Sequence, residues 1–82
     1  MELLCIGVSH KSAPVEIRER LALDEAGQRA LLEQLSRGGE AMLVSTCNRV
    51  EVYTATRDVD AARRLTVAVL SAAAGVDVQA HL

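Results

Sequence analysis

The chain has 82 residues, half of them hydrophobic and 24% charged, which allows one small folded domain and excludes both disorder and a second domain for a dinucleotide. One Tyr, no Phe and no Trp leave an aliphatic core, and the five glycines form no GxGxxG pattern. A net charge of −2 gives no basic footprint for phosphates, and two cysteines outside any CxxC exclude a secreted disulfide scaffold.

Leu3 to Val8 is a continuous apolar run that predicts a strand buried on both faces, with Cys5 in the core. The run is too short for a signal peptide or a membrane span, so a reduced, cytoplasmic, soluble domain with no membrane partner is expected. Ser9-His10-Lys11-Ser12 breaks the strand. Pro14 suits a first helical turn, and Val15 to Leu21 follow at helical spacing. Asp24 caps a second helical segment, Glu25 to Ser36, with Ala30, Leu31 and Leu35 on its apolar side, and Gly38-Gly39 stops it. Ala41 to Thr46 and Val50 to Thr56 read as two short strands. Between them Cys47, Asn48 and Arg49 form a tight hairpin, with Asn48 expected at positive φ. After Asp58, a helix N-cap, the positions Ala62, Leu65, Val69, Ala72 and Ala73 recur at helical spacing until Gly75. Val76 to Leu82 begins a fourth strand.

The order β-α-β-β-α-(β) predicts an α+β fold. It matches a ferredoxin-like split βαβ, a two-layer sandwich with an antiparallel sheet, here truncated; an ACT-type or plain two-layer α+β domain has the same order. In the split βαβ, strands one and three are antiparallel neighbours. Ser9-His10-Lys11 and Thr46-Cys47-Asn48-Arg49 then meet at one rim of the sheet, gathering a thiol, an imidazole, two cations and an amide. In a short turn beside Arg49, the Cys47 thiol is placed for thiolate formation, although a small half-buried Cys at a strand end needs no such role. Arg49 presents a planar fork suited to a carboxylate, or pairs with a nearby Glu. His10 and Cys47 lack further ligands at zinc-site spacing, so no metal site is expected. His81, near the terminus, reads as structural.

Two segments carry a resemblance. Gly7-Val8-Ser9-His10-Lys11-Ser12-Ala13-Pro14-Val15-Glu16-Ile17-Arg18-Glu19 resembles the N-terminal signature of glutamyl-tRNA reductase. Ser45-Thr46-Cys47-Asn48-Arg49-Val50-Glu51-Val52-Tyr53 is similar to the nucleophile motif of that family, STCNRxE. The motifs stand in the family's order and spacing, and the likeness covers essentially residues 1–82.

The resemblance implies NADPH-dependent reduction of glutamyl-tRNA(Glu) to glutamate-1-semialdehyde through a cysteine thioester, the first step of tetrapyrrole (porphyrin) biosynthesis from glutamate. It makes Cys47 the catalytic nucleophile and Thr46, Cys47, Asn48 and Arg49 the substrate-binding residues, with Arg49 on the glutamyl side-chain carboxylate. It assigns no role to Ser9, His10 or Lys11 beyond proximity. The partners implied are glutamyl-tRNA(Glu) and the semialdehyde aminotransferase that receives the product. On this reading residues 1–82 are the N-terminal portion of the catalytic, glutamyl-tRNA-binding domain. The NADPH-binding and dimerisation domains are absent, so the chain alone is not competent for full turnover and exposes apolar surface where missing elements pack. The family's assisting His lies in a later helix; His81-Leu82 echoes that stretch but comes too early to take the role. A non-catalytic ferredoxin-like module for a small molecule or protein partner is the alternative, with Cys47 incidental.

Overall fold

The computed structural model describes residues 1–46 and 48–82. Among the described residues the chain runs β1 (Glu2–Ser9), α1 (Val15–Leu21), α2 (Glu25–Leu35), β2 (Glu40–Ser45), β3 (Arg49–Thr56) and α3 (Val59–Ala74). The Asp24 carboxylate accepts the Gly27 N–H at 2.8 Å and the Asp58 carboxylate accepts that of Ala61 at 3.0 Å. These are the caps the sequence predicts, each satisfying a donor that the helix's first turn leaves orphaned. Pro14 stands one residue ahead of α1, and its carbonyl accepts the N–H groups of Ile17 and Arg18.

The sheet has the order β1-β3-β2 with both pairings antiparallel. β1 lies along β3 from Glu2 opposite Thr56 to Ser9 opposite Arg49, and β2 lies on its other side from Glu40 opposite Ala55 to Ser45 opposite Val50. This is the α+β arrangement expected, consistent with a small ferredoxin-like split βαβ. The helices cover one face. Leu4, Ile6 and Val8 of β1 and Val50 and Val52 of β3 form the core with Ile17, Leu21, Leu31, Leu35, Val69 and Leu70 from the helices. The Arg20 guanidinium donates to the Ala74 carbonyl at 3.2 Å, tying α1 to the end of α3.

The structure corrects two expectations. β1 is buried on one face only: Leu4 is 8% exposed, whereas its neighbour Leu3 is 73% exposed and Cys5 is exposed as well. The second face of a three-stranded sheet with its helices on one side has nothing over it, so the odd-numbered residues of β1 point outward. No fourth strand forms at 76–82. The Asp77 carboxylate accepts the Gln79 N–H, a 3₁₀ turn runs over Val78–His81, and Val78 is fully buried beneath it. The Val78 N–H donates to Ser71 Oγ at 3.1 Å, which fastens the turn to α3. The positive φ expected at Asn48 is set through the Cys47 carbonyl carbon and so lies outside the described residues.

Neighbouring leucines test the one-sided sheet. Leu4→Ala is expected to cost about 2–5 kcal/mol in denaturant unfolding, and Leu3→Ala to stay within about 0.5 kcal/mol of the parent chain.

Candidate functional site

The rim where β1 ends and the β2–β3 hairpin turns is built from short-range hydrogen bonds. Beyond Ser9 the chain folds into a turn in which Ser12 Oγ accepts the Ser9 N–H at 3.0 Å and Ser9 Oγ accepts that of Lys11 at 3.2 Å. The Ser9 carbonyl accepts the N–H groups of Ser12 and Ala13. Hydroxyls that bond to nearby backbone form this turn and lead the chain from the strand toward α1. Ala13 is buried, and its carbonyl accepts from Arg18 Nε at 3.3 Å.

The hairpin is closed by Thr46. Its N–H donates to the Arg49 carbonyl at 2.8 Å, and its Oγ1 accepts the N–H groups of Asn48 and Arg49, each at 3.2 Å. The two motifs are joined by one further bond, from the His10 N–H to the Asn48 carbonyl at 2.8 Å, which carries the β1–β3 ladder past Ser9 and Arg49. The result is a cleft of about 610 Å³ with Ser9, His10 and Lys11 on one wall and Thr46, Asn48, Arg49 and Glu51 on the other. A comparable hollow lies at the opposite end of the sheet, beside Met1, Gly39 and Thr56.

The expected convergence of His10, Lys11, Asn48 and Arg49 is therefore present. Cys47, the expected nucleophile and part of the expected substrate-binding set, lies outside the described residues. Arg49 pairs with Glu51, Nε to Oε1 at 3.4 Å, as one of the two sequence readings had it. Glu51 Oε1 also accepts from the Tyr53 hydroxyl at 3.3 Å. The Tyr53 phenol has a pKa raised from its ordinary value, first by its hydrogen bond to and charge on the exposed Cys5 thiol beside it, then by the Glu51 carboxylate. Glu51 was not among the expected site residues. Strand alternation signals it, because Arg49, Glu51 and Tyr53 share one face of β3.

The match to the family described as "Glutamyl-tRNAGlu reductase, N-terminal domain" runs over residues 6–81, nearly the whole chain. The chain belongs to this family. A glutamyl-tRNA reductase of Myxococcus xanthus is 48% identical over 83 residues, covering 100% of this chain and 19% of the relative. One from Corynebacterium glutamicum is 45% identical over 83 residues, covering 96% of this chain and 18% of the relative. One from Chlorobium limicola is 50% identical over 56 residues, or 65% of this chain and 13% of the relative. The chain thus spans about a fifth of the length of the Myxococcus and Corynebacterium relatives.

The connection from β1 to α1 in this family member is not a glycine-rich dinucleotide turn. A dinucleotide turn needs glycines between the first strand and its helix so that the backbone approaches the pyrophosphate. Here that connection runs Ser9-His10-Lys11-Ser12-Ala13-Pro14, without glycine, and leads into a helix of seven residues. Among the described residues no helix is long and apolar enough to cross a membrane.

The hydroxyl of Thr46 is the fastening of the hairpin. Thr46→Val keeps the shape and loses its bonds to two N–H groups; amide exchange at Asn48 and Arg49 should quicken about tenfold, while Thr46→Ser stays near the parent rate.

Proposed function

We propose that residues 1–82 are the glutamyl-accepting portion of a glutamyl-tRNA reductase, with Cys47 as nucleophile. What supports this most is the single hydrogen-bonded rim that joins Ser9-His10-Lys11 to Thr46, Asn48 and Arg49, in a chain of this family. In the proposed reaction the Cys47 thiolate attacks the ester carbonyl carbon of glutamyl-tRNA(Glu). A carbon–sulfur bond forms, the ester carbon–oxygen bond breaks, and the terminal ribose oxygen takes a proton as tRNA departs, leaving a glutamyl thioester on Cys47. Thiolates are good acyl acceptors, and the covalent intermediate splits one difficult transfer into two easier ones.

The charges at the rim support this reading. Arg49 and Lys11 carry positive charge at the cleft, and Asn48 adds an amide. Cations beside a thiol favour the thiolate, and a planar guanidinium takes a carboxylate through two parallel hydrogen bonds. Arg49 is assigned to the glutamyl side-chain carboxylate, and Thr46 and Asn48 to holding the acyl group and the turn. For the whole protein the proposed activity is NADPH-dependent reduction to glutamate-1-semialdehyde, the entry to tetrapyrrole formation, in the cytoplasm. NADPH and dimer contacts are assigned to parts of the protein outside this chain, and the product to a semialdehyde aminotransferase. The chain's own share of the reaction ends at the thioester.

Mixing the chain with glutamyl-tRNA(Glu) without reductant, followed by intact-mass and peptide mass spectrometry, tests this reading. One glutamyl adduct on Cys47 is expected, and Cys47→Ser should lower acylation at least about 10³-fold without altering circular dichroism. An adduct shared equally with Cys5, or none at all, contradicts it.

A further inference from the structure

Glu51 lines the cleft, although a carboxylate there repels an acidic acyl group. Its surroundings give the reason. In the β1–β3 register Gly7 stands directly opposite Glu51, and a Cβ at Gly7 would come within 2.9 Å of Glu51 Cγ and 2.6 Å of the Val50 carbonyl oxygen. The glutamate stem therefore lies against β1 where no side chain blocks it. Its Oε1 accepts the Tyr53 hydroxyl at 3.3 Å and stands 3.4 Å from Arg49 Nε in an ion pair. The glutamate side chain is 24% exposed and that of Arg49 57%, so the carboxylate is the anchor and the guanidinium the group it holds. Among the described residues neither Nη group of Arg49 has a partner. An ion pair this exposed adds little to stability, so its effect is on orientation.

We infer that Glu51 is a positioning residue: it takes Arg49 by Nε and leaves the Nη1–Nη2 fork to a substrate carboxylate, so that the cleft selects an acidic acyl group over its neutral amide. This rests on the proposed role of Arg49. A guanidinium fork binds a carboxylate through two N–H groups in one plane, and an ion pair at Nε restricts how that plane turns. Tyr53 holds the carboxylate in turn, and Gly7 leaves it room.

The test compares acylation of Cys47 by glutamyl and glutaminyl esters in the parent chain, Glu51→Ala, Glu51→Gln and Arg49→Ala. Glu51→Ala is expected to raise the half-saturating glutamyl ester concentration about tenfold with the maximal rate within about twofold, and to lower the glutamyl-to-glutaminyl preference by a similar factor. Glu51→Gln, which keeps an acceptor but not the charge, should fall between. An unchanged preference in Glu51→Ala beside a lost one in Arg49→Ala overturns the positioning role alone. An unchanged preference in both overturns the carboxylate role of Arg49. Proton exchange at Arg49 Nε, followed by nitrogen-15 NMR, reads the pair without any acylation. It should be at least about threefold slower in the parent chain than in Glu51→Ala, and equal rates overturn the inference.

Discussion

The antiparallel pairing of β1 with β3 in one register places everything of chemical interest in this chain. Glu2 opposite Thr56 at one end obliges Ser9 to lie opposite Arg49 at the other, and the His10 N–H then reaches the Asn48 carbonyl. Two motifs nearly forty positions apart in sequence become the walls of one cleft. Slipping the register by one residue would turn Leu4, Ile6 and Val8 out of the core and withdraw Gly7 from Glu51. The burial of three aliphatic side chains therefore enforces the position of the polar rim. Fold and site are two consequences of a single pairing.

The same register divides the sheet into two unlike faces. Even-numbered residues of β1 and β3 meet the helices, while odd-numbered ones form an open face on which Leu3, Cys5, Arg49, Glu51 and Tyr53 lie. Leu3 and Met42 are large apolar side chains left exposed on it, at 73% and 56%. Along this face a polar row leads from Cys5 through Tyr53 and Glu51 to Arg49 and the cleft.

Much of this was legible in the sequence, and the misses have physical causes. Helical spacing and the caps Asp24 and Asp58 located the helices to within a residue, because capping is local chemistry. The rim of Ser9-His10-Lys11 and Asn48-Arg49 followed from strand order alone. Cys5 was misplaced because an unbroken apolar run does not say whether one face or two will be covered; that depends on how many layers the chain can build. At 76–82 alternating Val and Asp suggested a strand, yet one capping carboxylate at Asp77 and one buried Val78 outweighed that preference. Strand alternation puts Glu51 on one face with Arg49, but the room that Gly7 leaves for its stem lies across the sheet, a relation that no local pattern carries.

With Cys5 exposed, burial does not shield it as a reference thiol. Cys5 sits beside the Tyr53 phenol, and the cleft proposed to receive the acyl group is lined by Arg49 and Lys11 together with Glu51. The most direct measurement is the rate of iodoacetamide labelling of each cysteine in the folded chain as pH is varied, read by peptide mass spectrometry with Cys5 as the internal reference. An activated nucleophile predicts that labelling of Cys47 rises well below the ordinary thiol value of about 8.5 and leads that of Cys5 throughout the neutral range. Labelling of Cys47 that tracks Cys5, with its rise at the ordinary value, would contradict a nucleophile at this rim.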